Sequence, residues 1–186
     1  YIASALDQLL GGTAHVDHVK AGFYDQLAAG GYMRAGVELS TTEYVDGIRS
    51  SRSGDQANMA AWDVGIGLYA ANLAGASTAE WIAGTEAEID ELVANYYDVL
   101  GLAGATLGLA AVGEDFDPTG GMHAAAGSLG DLVGILSGYQ ISGGGFTWYS
   151  GYVSAGNENL QETAYALLAL NEYNKNGYLS EIAGAG

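Results

Sequence analysis

The stretch from Val99 to Val112, VLGLAGATLGLAAV, carries no charge and no polar stripe. A helix that is apolar on every side must be enclosed on every side, by lipid or by protein. A bilayer core asks for about 20 consecutive apolar residues, and this run is shorter. It therefore belongs inside a layered protein interior. The run Ala164–Leu170, AYALLAL, makes the same demand. No stretch of the chain qualifies as a transmembrane segment.

The segments between these runs are one-sided. From Ser77 to Tyr96, Trp81, Ile82, Thr85, Ile89, Leu92, Val93 and Tyr96 recur at three- and four-residue spacing, with Glu80, Glu86, Glu88, Asp90 and Glu91 among them. From Ala124 to Tyr139 the stripe narrows to Leu129, Leu132, Val133 and Leu136. Gln56–Leu73 is again broadly apolar. The order is buried, amphipathic, buried, amphipathic, buried, as a double-layered ring or superhelix of helical hairpins requires. The period is roughly 40 to 60 residues, in the range of helical-pair arrays. The fold class expected is all-α, with helices over 57–73, 78–96, 98–112, 124–139 and 159–174. Ser77 or Thr78 is the expected cap of the second helix, and Asn157 or Asn159 that of the last. Glu162 then sits at a positive helix end.

Upstream, Ile2–Leu10 and Val16–Ala29 have helical spacing, and glycine pairs end both runs. A short helix is expected over Thr41–Ile48, and another around Tyr178–Ile182. Glycines inside the helical runs (Gly65, Gly67, Gly101, Gly104, Gly108) each cost about 1 kcal/mol of helix propensity against alanine. They are tolerable where a neighbouring helix comes close.

The 186 residues hold 22 acids against five bases, a net charge of −17. That field repels nucleic acid and anionic membrane surfaces. It suits solubility, divalent cations or a salty exterior. Without cysteine there is no disulfide, thiolate metal site or thiol nucleophile. The start at Tyr1, with no leader, leads us to expect a piece processed from a longer precursor. Residues 1–186 are read as a single domain.

Several blocks in order carry a resemblance. GGF followed by QETAYALLAL resembles the repeat of the α/α-toroid class, which includes prenyltransferases, squalene–hopene-type cyclases and thioester domains of complement-like proteins. More closely, AAWDVGIGLYAANLAG, AEIDEL, YYDVLGLAGATLGLAAVGEDFDPTGG and the stretch from GGFTW to LNEY resemble bacterial exosortase-sorted (PEP-CTERM) secreted proteins, over about Gln56 to Leu179. The resemblance implies an α/α toroid, partial or complete, and a secreted or cell-surface setting. It implies no activity. The short sorting tail of such proteins is missing here. A closed ring of this class is also longer than this chain, so the ring is open, continues beyond Gly186, or is completed by another chain.

Candidate chemistry is sparse. In GEDFDPTGG, the side chains of Glu114, Asp115 and Asp117 with neighbouring carbonyls make a candidate Ca²⁺ site, since hard cations take several oxygen ligands. The same letters resemble the DxDD motif of the cyclases, with Asp117 matching the protonating acid, although Pro118 replaces the last Asp. A helix end followed by an Asp-Pro turn explains them equally. His15 and His18 are three apart and could share a metal. Phe146, Trp148, Tyr149 and Tyr152 form an aromatic loop able to stack on sugars or anchor a protein; equally, the rings could fill the gap between helix layers. Arg49 and Arg52 form a positive spot able to meet an acidic partner.

The function expected is a non-catalytic extracellular or cell-surface structural or interaction module in a larger assembly, with other protein chains or extracellular glycan as partners. Self-association is expected, because little chain remains after Leu170 to cover the flank of the last apolar helix. The alternative is a toroid enzyme acting on polysaccharide or a cyclase-like substrate.

Overall fold

The computed structural model describes residues 41–184, with side chains to 175. The chain divides into two units, Tyr1–Tyr44 and Val45–Gly186. The helices expected over Ile2–Leu10 and Val16–Ala29, and the pair His15 and His18, lie outside the described residues.

The regular elements among the described residues are all helical, with helices α1 (Thr41–Arg49), α2 (Met59–Leu73), α3 (Ala79–Glu91), α4 (Asp98–Val112), α5 (Leu129–Gly138) and α6 (Leu160–Gly184). Short 3-10 turns occur at Gly54–Gln56, Gly121–His123 and Ser150–Ala155. No strand is present among them; Gln140 and Phe146 form an isolated bridge.

Helix α4 packs against both α2 and α6, α3 against α2 and α4, and α5 against α4 and α6. The broadly apolar helices α2, α4 and α6 thus form one row, and the one-sided helices α3 and α5 cover its joints. From Asp98 to Ala110 every residue of α4 is buried. The surrounding core includes Leu68, Ile89, Leu102, Leu107, Leu132, Leu136 and Phe146. This is the burial that the uncharged run required.

The α2–α4 contact explains the helical glycines. A Cβ on Gly104 would lie 2.6 Å from Trp62 Cα, and one on Gly108 would lie 2.4 Å from the Gly65 carbonyl oxygen. A Cβ on Gly67 would meet the Trp81 ring at 2.0 Å. At Gly104 and Gly108 the close neighbours include backbone, so side-chain repacking cannot relieve the approach; at Gly67 the close neighbour is the Trp81 ring of α3.

Three helix ends differ from the sequence reading. Helix α5 starts at Leu129 rather than Ala124; the Ser128 hydroxyl caps it by accepting from the Asp131 amide. Helix α3 stops at Glu91 rather than Tyr96, because tertiary bonds capture the chain that follows. Asn58, buried before α2, donates from Nδ2 to the carbonyls of Val93 at 2.9 Å and Tyr96 at 3.0 Å, and its Oδ1 accepts from the Val93 amide at 3.2 Å. Helix α6 runs unbroken to Gly184, joining the last expected helix to the short segment after it. Gly177 does not break it, since a lone helical glycine costs only about 1 kcal/mol. Thr78 does occupy the cap position of α3, but its side chain makes no capping bond.

Candidate functional site

Helix α4 begins at a bend. Tyr97, the residue before it, has φ 64°, the only positive-φ non-glycine among the described residues. A bulky side chain there is strained, and surrounding structure must hold it. The next residue, Asp98, is fully buried. Its Oδ1 accepts from the amides of Val99 at 2.7 Å and Ser150 at 2.8 Å, and its Oδ2 accepts from Ser150 Oγ at 2.5 Å. One carboxylate thus joins the start of α4 to the Ser150–Ala155 turn, 52 residues away. Among the described residues no Lys, Arg or His forms an ion pair with it. Burial pushes its pKa up, against the opposing pull of the Ser150 and Val99 hydrogen bonds.

The bond between Asp98 and Ser150 brings two aromatic segments together. Tyr96 stacks on Trp148 with ring centroids 4.9 Å apart and planes 7° apart. Tyr97 meets Trp148 edge-on at 5.4 Å, and Tyr152 lies 5.9 Å from Trp148 on a tilt. Tyr149 packs edge-on against Tyr152 at 5.0 Å and Tyr96 at 5.9 Å. All five rings are half-buried. They form one partly exposed aromatic patch, fixed by Asp98 from the α4 side and by Asn58 through the carbonyl of Tyr96. Half-exposed Tyr and Trp offer large contact area at low entropic cost.

The chain arrives at the patch through a tight loop. The Ile141 amide donates to the Gly145 carbonyl at 2.9 Å, and the Phe146 amide donates to Thr163 Oγ1 at 2.8 Å. Phe146 is 1% exposed and belongs to the core, so of the four aromatic residues singled out in this loop it fills the interior while Trp148, Tyr149 and Tyr152 reach the surface. Asn159 caps α6, its Oδ1 accepting from the Gln161 amide at 2.9 Å. Glu162 is buried at the start of α6 with Oε2 unpaired, and burial raises its pKa.

The acidic loop is arranged differently. Asp115 Oδ1 accepts from the Leu129 amide at 2.7 Å, at the N-terminus of α5, where Ser128 also caps. Asp115 and Asp117 are exposed and Glu114 is half-buried. Among the described residues no group of three or more His, Cys, Asp or Glu side chains could hold a metal. The turn that follows is held by Asp90, whose carboxylate accepts from the Thr119 amide and hydroxyl, both at 2.8 Å, and the Gly120 amide at 3.0 Å. Burial opposes ionisation of Asp90, but these bonds win and lower its pKa.

Arg49 and Arg52 are engaged within the chain. Arg49 pairs with Glu88 at 2.6 Å and Glu91 at 3.0 Å; Arg52 pairs with Asp63 at 2.7 Å. They tie α1 and the segment after it to α3 and α2. His123 is buried with Nε2 unpaired, and burial lowers its pKa, favouring the neutral ring.

Sequence reasoning missed Asn58, Tyr96, Tyr97, Asp98 and Ser150. One signal was available: Asp98 is the single acid opening an otherwise uncharged helix, directly after two tyrosines. No family model, curated protein or solved structure matches the chain.

Proposed function

We propose that this chain is a non-catalytic interaction module of the cell surface or extracellular space, working within a larger assembly and meeting its partner through the aromatic patch around Trp148. The observation that carries the reading is the patch itself. Five rings from two distant segments are held together by a buried carboxylate and remain half-exposed. The row of α2, α4 and α6 covered by α3 and α5 supports an arc of an α/α toroid as its scaffold. The resemblance to exosortase-sorted secreted proteins and the net charge of −17 support the setting.

A second surface supports assembly. On α6, Leu160 is 80% exposed, Leu167 51% and Leu168 38%. With Ala164 they recur at helical spacing along one exposed row. No helix among the described residues is long and apolar enough to cross a membrane.

The test is the double variant Trp148→Ala, Tyr152→Ala in the native host, with surface material fractionated by size. The proposal expects wild-type chain in a large extracytoplasmic fraction. It expects the variant to retain its helical circular dichroism and leave that fraction. A variant that stays in the assembly like wild type, or a wild-type chain that is cytosolic and monomeric, overturns it.

A further inference from the structure

We infer that the aromatic patch recognises an organic cation, the guanidinium of an arginine side chain on a partner protein; this rests on the patch being the contact surface proposed above. The rings supply the first half of such a site. Aromatic faces carry negative quadrupole charge, and guanidinium groups stack on them. Tyr96, Tyr97 and Tyr152 each meet Trp148, and Tyr149 bridges Tyr96 and Tyr152, so the five half-exposed rings form one continuous cluster.

The electrostatic setting supplies the second half. Asp98 sits behind the rings, fully buried, bonded to hydrogen-bond donors, with no ion pair among the described residues. The phenol pKa of Tyr139 is raised first by burial and then by the Asp98 charge. Exposed Asp55 is near enough to Tyr96 to add to the rise in its phenol pKa, which comes first from Tyr152 and then from burial. The Asp98 carboxylate behind the rings, Asp55 beside them and the net charge of −17 together favour a cation there. Arg49, Arg52 and Lys175 are each paired with acids elsewhere. A neutral sugar gains nothing from that potential, and an anion is repelled; a cation is attracted by rings and carboxylates together. Among protein cations, the planar and weakly hydrated guanidinium is better suited than an ammonium to stacking at an interface.

The experiment compares two capped tripeptides, glycine–arginine–glycine and its uncharged near-isostere with citrulline in the centre. Each is titrated calorimetrically into the full chain. The expected result is binding of the arginine peptide, with the citrulline peptide weaker by roughly fivefold or more, the scale of one exposed to partly desolvated cation–π contact. Tyr152→Leu abolishes that preference. Asp55→Asn weakens the arginine peptide and leaves the citrulline peptide unchanged. Asp117→Asn, an exposed acid on another loop, leaves both unchanged, which separates the site from general attraction to an acidic surface. Equal affinity for the two peptides overturns the inference, as does a loss in Asp117→Asn as large as in Tyr152→Leu. In those cases the failure is specific to cation recognition if Trp148→Ala, Tyr152→Ala still leaves the native assembly. If that variant stays in the assembly, the contact surface itself has failed.

Discussion

Replacing Asp98 separates the two things its carboxylate does. In Asp98→Ala, the Val99 amide, the Ser150 amide and the Ser150 hydroxyl lose their acceptor inside a buried site. An unsatisfied buried polar group costs about 1–3 kcal/mol. Water entering beside Ser150 recovers part of that, so the expected loss is about 3–5 kcal/mol. The same change frees the 150–155 turn and lets the ring cluster separate. Asp98→Asn keeps the acceptor for both amides, and the Ser150 hydroxyl can turn to accept from the new NH₂. It also removes a buried charge. Asp98 binds its proton more tightly folded than unfolded, because burial raises its pKa. Its favourable contribution is therefore complete below the unfolded carboxylate pKa of about 4 and is lost as pH rises through the folded value. Asparagine has no such dependence. The stability of Asp98→Asn relative to wild type should improve from acid pH towards neutrality, while Asp98→Ala stays several kcal/mol below both. Urea unfolding at several pH values, followed by circular dichroism, measures this. A flat difference between Asp98→Asn and wild type, or an Asp98→Ala protein as stable as wild type, would refute the reasoning.

Other expectations follow from single contacts. Gly104→Ala puts a methyl against the Trp62 backbone and should destabilise by about 1–3 kcal/mol. Gly134→Ala, with nothing within 4 Å of its added Cβ, should gain about 0.5–1 kcal/mol; thermal unfolding of the pair checks the opposite signs. Arg49→Met strands Glu88, whose side chain is 7% exposed, and should cost about 3 kcal/mol at neutral pH. Much of that loss should vanish on acidification as Glu88 takes up a proton, its pKa being raised by burial against the pull of Arg49. Asp90 has the reverse sign: its lowered pKa means its stabilisation is present above the unfolded carboxylate pKa and is lost as pH falls through the folded value. The difference between wild type and Asp90→Ala should therefore shrink in acid, as urea titration would show. Leu167→Lys should leave unfolding within about 0.5 kcal/mol of wild type and weaken any self-association seen by light scattering; stronger association would contradict the α6 surface.

The sequence made the helices readable because their burial is written in composition. An uncharged run such as Val99–Val112 has one physical solution, and α4 begins and ends within a residue of that run. The glycines at 65, 67, 104 and 108 read correctly as close approaches for the same reason. Helix α3 was overextended because the bonds that end it come from Asn58, 35 residues away from Val93, and no local pattern encodes them. The aromatic loop was visible, but its partners Tyr96 and Tyr97 were not. They come from a helix start that the Asp98–Ser150 bonds bring alongside from 52 residues away. Arg49 and Arg52 looked available because their acids lie on other helices. Asp115 bonds the first amide of α5 through one carboxylate oxygen, a contact that the acidic letters alone do not show.

The most direct measurement is tyrosine and tryptophan footprinting by mass spectrometry, on the isolated chain and on native surface assemblies. The account predicts that Tyr96, Trp148, Tyr149 and Tyr152 become protected in the assembly, while exposed positions on the acidic loop, Asp115 and Asp117, can be modified by a carboxyl reagent in both states. Equal labelling of the four rings in the free and assembled chain would contradict it.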